Sequence, residues 1–281
     1  MFSNVIVGMD GGPHGHDAEA LARVLADPGG EVSPVHIDLG ARVGSLLPDG
    51  ATVGAEIVLS EDARTVGEGL HRLAEARAAD LLVVGSSRRG MFGRVLLGDD
   101  TSASLNGAPC AVAVAPSGFA AADAALATLG VAYDESPESE AALAATRELA
   151  ARMHAKIRVV EVITWPSYAY AGPMTMPGPP FMDDLLEASA LRMAALEGVE
   201  TSARQGMPGE ELAAFGSEVD LLVVGSRSYG PLQRLIHGST SAYLTRHARC
   251  PLLILPRGRV PAREPARMRA AAGPVPVPAA G

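Results

Sequence analysis

Lysine is nearly missing from this chain of 281 residues: Lys156 is the only one, although Lys and Arg together number 23. No Gly-x-x-x-x-Gly-Lys-Ser/Thr loop exists, which excludes a P-loop NTPase. Aromatic residues make up only 4%, so any core is built from Ala, Val and Leu. That composition suits helices packed on buried parallel strands better than an antiparallel sandwich. Cysteine is limited to Cys110 and Cys250, too few for a disulfide framework and without metal-site spacing, so both read as small buried residues in a reducing compartment. Basic charge is in deficit: 32 Asp and Glu leave a net charge of -9, which repels phosphate backbones and argues against a nucleic-acid partner. No apolar run reaches the ~20 residues that span a bilayer. Met1-Phe2-Ser3-Asn4 leads directly into a strand pattern, without the basic and apolar regions of a signal peptide. The expectation is a cytoplasmic protein with no membrane partner.

What the chain does have is a repeat, the feature that decides a fold reading first. Asp80 to Ser86 reads Asp-Leu-Leu-Val-Val-Gly-Ser, and Asp220 to Ser226 reads the same seven residues. The register holds from Gly98 to Gly238, Cys110 to Cys250 and Pro116 to Pro256. Upstream, Val7-Gly8-Met9-Asp10 matches Val131-Ala132-Tyr133-Asp134 at an offset of 124 rather than 140, so the second copy has gained 16 residues, which the Pro- and Met-rich stretch 165–180 accommodates. Each copy alternates short apolar strands with helical periodicity. In copy one the strands are 5–9, 32–37, 55–59, 81–85 and 111–115, with helices over 16–26 and 63–79. In copy two they are 129–133, 157–163, 199–203, 221–225 and 252–255, with helices over 138–155, 182–196 and 210–215. Near-continuous apolar strands separated by helices imply a parallel sheet covered on both faces. The fold class is therefore α/β: two doubly wound, five-stranded, flavodoxin-sized repeats over 1–120 and 121–256. Residues 257–281, rich in Arg, Pro and Ala, read as a disordered tail.

After its fourth strand, copy two runs Gly225-Ser226-Arg227-Ser228, then nine residues, then Gly238-Ser239-Thr240. With the Leu-Val-Val-Gly-Ser strand and the Cys-Pro before the last strand, this resembles the universal stress protein family over roughly 1–116 and 127–256. Nucleotide-binding members of that family carry Gly-x-x-Gly, nine residues, then Gly-Ser or Gly-Thr at a helix start. The resemblance implies a Rossmann-like fold whose repeats pair through their last strands, 111–115 and 252–255, as a pseudo-dimer, and leaves a homodimer open. It implies ATP or another adenine nucleotide, with or without Mg, mainly in repeat two. There Asp134 would meet the sugar, the backbone near Val162 and Val224 would flank the adenine, and Ser226, Gly238, Ser239 and Thr240 would hold the phosphates, with Gly225, Arg227 and Ser228 among the binding residues of the same loop. The physical reading agrees: ligands bind beyond the carboxyl ends of parallel strands where the winding reverses, and a helix N-terminus favours a phosphate.

Copy one is the weaker site, with Asp10, Ile37, Gly85, Ser86 and Gly98 in the matching places. Arg88 replaces the middle glycine and Asp99 replaces the phosphate-facing Ser. One like charge at ~5 Å costs about 3 kcal/mol at an effective dielectric near 20. In copy two the middle glycine is Ser228. The bland readings stand beside these: Asp134 as a cap for the helix near Glu138, Gly225 as turn chemistry, His14 and His16 as a solvated turn rather than metal ligands, and Trp165, Tyr168 and Tyr170 as a surface loop. No spaced carboxylates for Mg and no general base accompany the loop, so the chain reads as a nucleotide-responsive regulator with no catalytic or metal residue. The alternatives are a ligand-free interaction protein and a slow adenine-nucleotide hydrolase.

Overall fold

The structure, a computed structural model, describes residues 1–10, 12–40, 55–60, 62–86, 107–122, 125–164, 179–226 and 239–256. Repeat one contributes β1 (Asn4–Gly8), α1 (Pro13–Leu25), β2 (Glu31–Asp38), β3 (Glu56–Leu59), α2 (Val66–Ala76), β4 (Leu81–Gly85) and β5 (Ala111–Ala115). Repeat two contributes β6 (Thr128–Ala132), α3 (Pro137–Met153), β7 (Lys156–Ile163), α4 (Pro179–Met193), β8 (Glu200–Gln205), α5 (Pro208–Phe215), β9 (Leu221–Gly225), α6 (Ser239–His247) and β10 (Leu252–Leu255). The ten strands form one sheet in the order β3-β2-β1-β4-β5-β10-β9-β6-β7-β8. Pairing is parallel within each repeat and antiparallel only at the joint, where Val114, Ala113 and Val112 face Leu252, Leu253 and Ile254. The two last strands thus cover each other's edges, as expected of a pseudo-dimer.

Strand alternation sends successive side chains to opposite faces, and the apolar runs fill both. Val5, Val7, Leu81, Val83, Leu129, Val131, Leu221, Val223 and Leu253 share one core with α1 and α3. Ile6, Leu82, Val84, Val112, Leu222, Val224, Leu252 and Ile254 share the other with α2, α5 and α6. Both cores run across the joint.

The elements match the sequence reading, with shifted starts. Pro13, Pro137 and Pro208 each occupy the first helical turn, where proline's fixed φ is favourable and its missing N–H costs nothing. Hydrophobic spacing alone begins α1 and α5 too late. His14 and His16 therefore belong to the first turns of α1 and not to a solvated turn. His14 is half-buried, and among the described residues no group of three His, Cys, Asp or Glu is arranged to hold a metal.

Register partners also redistribute the 16 extra residues. Val35 and Val160 pair with Glu56 and Ser202, so the offset between copies, 125 at β2/β7, reaches 146 at β3/β8 and returns to 140 at β4/β9. The copy gains more than the net figure between β7 and β8 and loses six residues again before β9, where α5 has 8 residues against 11 in α2.

Candidate functional site

The sheet order reverses between β6 and β9, neighbours in space whose crossover helices lie on opposite faces. Beyond their carboxyl ends lies a cavity of about 220 Å³. Its apolar walls come from Ala132, Val160, Val162, Pro208, Leu212 and Val224, and its polar rim from Asp134, Ser136, Ser139, Thr240 and Ser241, with Tyr133 and Gly225 completing the lining. The volume suits a nucleoside-sized group and is smaller than the roughly 300–1,000 Å³ of pockets that enclose a drug-sized ligand.

Asp134 follows β6 and is exposed. Its Oδ1 accepts the Ser136 N–H at 3.2 Å and the Ser136 hydroxyl at 2.5 Å. It does not cap α3; Ser136 does, accepting the Ser139 N–H at 3.2 Å. The capping serines thus line the cavity beside the carboxylate. Tyr133 donates its hydroxyl to Glu140. Burial first, then that bond and the charges of Glu140, Glu135 and Glu161, push its phenol up to about 12, so it stays a neutral donor through the physiological range. Thr240 and Ser241 enter from the first turn of α6, the end of a helix whose backbone N–H groups and dipole attract anions.

The cavity brings together five of the residues singled out in repeat two: Asp134, Val162, Val224, Gly225 and Thr240. Ser226 is absent from its walls. That residue is buried, and its amide is taken by the Leu255 carbonyl at 2.9 Å. Ser239 opens α6. Arg227, Ser228 and Gly238, together with Gly98, Arg88, Asp99, the 165–178 stretch and the tail, lie outside the described residues. Sequence reasoning missed the walls supplied by Pro208 and Leu212 of α5, and it gave Ser136 and Ser139 no place in the site. Nothing in a single chain marks an interior leucine as a wall, but the Ser-Pro-x-Ser run beside a strand-end Asp was a usable signal.

Repeat one differs at the matching place. Asp10 is again exposed and accepts the Gly12 N–H at 2.8 Å, the same short turn as at Asp134. Ile37, the counterpart of Val162, is buried beneath α2: a Cβ added at Gly69 would stand 2.6 Å from Ile37 Cγ2. Glycine there lets the helix sit down on the strand. Ser86 is buried with its amide on the Ala115 carbonyl at 2.9 Å, and Gly85 abuts α1.

The model of the universal stress protein family matches residues 50–116 and 127–256. A universal stress protein of Mycobacterium bovis is 30% identical over 213 residues, covering 72% of this chain and 68% of its own. One from Thermus aquaticus is 29% identical over 140 residues, 46% of this chain and 97% of its own. Among solved structures, a universal stress protein from Archaeoglobus fulgidus superposes with a TM-score of 0.58 at 15% identity, covering 90% of this chain and 98% of that one. That likeness shows a shared fold across both repeats.

Proposed function

The chain belongs to the universal stress protein family, and on that premise we propose that it binds an adenine nucleotide in repeat two and acts as a nucleotide-responsive regulator rather than as an enzyme. The observation that carries the reading is the cavity at the β6/β9 reversal, apolar at its floor and rimmed by one carboxylate and four hydroxyls. A purine is a flat apolar body with polar edges, which suits walls of Val160, Val162, Leu212 and Val224. Ribose hydroxyls are donors, and the exposed Asp134 carboxylate is an acceptor beside them. Phosphates would run toward the first turn of α6, where Ser239, Thr240 and Ser241 stand, with Arg227, Ser228 and Gly238 bordering them in sequence. In this reading repeat one spans 1–120, repeat two 121–256 and a tail 257–281. A cytoplasmic location and pairing of whole chains belong to the same reading. Among the described residues no helix is long and apolar enough to cross a membrane.

The test is the nucleotide content of the purified protein. After denaturation, the released small molecules are separated by chromatography, and ATP and AMP titrations follow on stripped protein. About one adenine nucleotide per chain is expected. A hydrogen bond to a charged group is worth about 1.5–3 kcal/mol, so Asp134→Ala should weaken binding about tenfold to a hundredfold. Gly238→Asp should abolish it by adding a like charge. No co-purified nucleotide, together with no binding at millimolar ATP or AMP, would replace this reading with a ligand-free interaction protein.

A further inference from the structure

Arg192 stands outside the cavity, on α4, yet it grips two residues whose chain neighbours form the cavity wall. Its Nε lies 3.0 Å from Glu135 Oε1. Its Nη2 lies 3.2 and 3.3 Å from the two carboxylate oxygens of Glu161. Glu135 directly follows Asp134, and Glu161 sits between Val160 and Val162. The wall includes Asp134, Val160 and Val162 and skips both glutamates, as alternation along a strand requires for Glu161. Glu161 is buried and also accepts the Ser189 hydroxyl, so it is a fixed anchor. Glu135 is the opposite case: its φ is 59°, in the left-handed region that a non-glycine residue adopts only when held there.

We propose that Arg192 is a positioning residue for the cavity of repeat two: by holding Glu135 against Glu161, it fixes the β6–α3 turn so that Asp134 faces the ligand. Among the described residues, Arg192 pairs with the carboxylates of Glu135 and Glu161, and those two together with Glu140 surround the Tyr133 phenol. The binding consequence rests on the nucleotide reading; the tether itself does not.

Five proteins test this: wild type, Arg192→Met, Arg192→Lys, Glu135→Gly and the Arg192→Met/Glu135→Gly double variant. Methionine keeps the apolar stem and removes the charge, while glycine adopts a φ near 59° without being held. Amide hydrogen exchange over residues 133–141, measured without nucleotide, reads the turn directly. ATP titration reads its consequence. Exchange in that segment should speed up in Arg192→Met, and the Kd for ATP should rise about threefold to fivefold, because the pair with Glu135 is half-exposed and such pairs are weak. In the Glu135→Gly background the same change should alter neither. Arg192→Lys, able to meet one carboxylate at a time, should fall between wild type and Met. Unchanged exchange in Arg192→Met, exchange that rises uniformly along the chain, or an equal loss in both backgrounds would overturn the proposal. A wild type that binds no ATP would overturn the nucleotide reading instead, and the exchange measurement would still decide the tether.

Discussion

Gly225 closes β9 at the cavity, and in the sequence it looks like a residue spared for a ligand. Its surroundings give another reason. A Cβ there would stand 2.4 Å from the Glu138 carbonyl oxygen, in the first turn of α3, and at Gly85 it would stand 2.2 Å from the His14 carbonyl oxygen in α1. Both glycines let a helix N-terminus press against the end of the adjoining strand. Gly225→Ala is therefore expected to destabilise the nucleotide-free protein by about 1–3 kcal/mol, the usual cost of overfilling a packed site. Urea unfolding reads this without any ligand, and an unchanged midpoint would return the glycine to a purely ligand-binding role. The repeated Gly-Ser was legible as a landmark, but its cause was not, because the residue that crowds it, Glu138, lies 87 residues upstream. Asp134 was legible for a better reason: a carboxylate directly after an apolar strand has few places to go except the open end of the sheet.

Among elements, two helix ends link the repeats outside the sheet. Arg152, in the last turn of α3, donates to the carbonyls of Leu25 and Val24 at 2.7 and 3.3 Å and pairs with Asp27 at 2.7 Å. An arginine from one repeat thus satisfies the orphan carbonyls that end α1 in the other. Burial raises the Asp27 pKa, but the hydrogen bond and charge of the terminal ammonium, then the charge of Arg152, outweigh it and leave the carboxyl below its ordinary 3.8. A lowered folded-state pKa means that the stabilisation is complete above about 3.8 and drains away as pH falls through the lower value. Asp27→Asn should therefore cost about 1 kcal/mol at pH 7, within the range of partly exposed pairs. The gap to wild type should close as the pH falls from about 3.8 through the lowered folded-state value. A gap that persists in acid would mean that the contact acts by packing rather than charge. No sequence pattern flags this contact, since Asp27 and Arg152 lie 125 residues apart. The strands and helices themselves were legible because buried parallel strands read as unbroken apolar runs. Four helices begin at a proline, one to three residues ahead of the hydrophobic spacing.

At the scale of the molecule, the repeat offset announced two similar halves, and the family resemblance implied that they meet through their last strands, as they do. The cavity belonged to a different class of information. In repeat two its floor joins Val160 and Val162 of β7 to Pro208 and Leu212 of α5, whereas in repeat one Gly69 brings α2 close onto Ile37, the counterpart of Val162. Neither Gly69 nor Leu212 stands in the motif that first drew attention. The joint makes a further claim about energetics. Leu253 is fully buried opposite Ala113, in a core that runs from Val5 to Leu255 through both copies. If that core is one cooperative unit, removing side-chain volume at the joint must weaken both repeats alike. Leu253→Ala is expected to cost about 2–5 kcal/mol, to leave a single unfolding transition, and to lower the hydrogen-exchange protection of β1 and β6 by equal amounts. Protection lost in β6 and retained in β1 would mean that repeat one folds by itself and that the antiparallel joint only docks it. In that case the nucleotide reading of repeat two would need no contribution from its partner repeat.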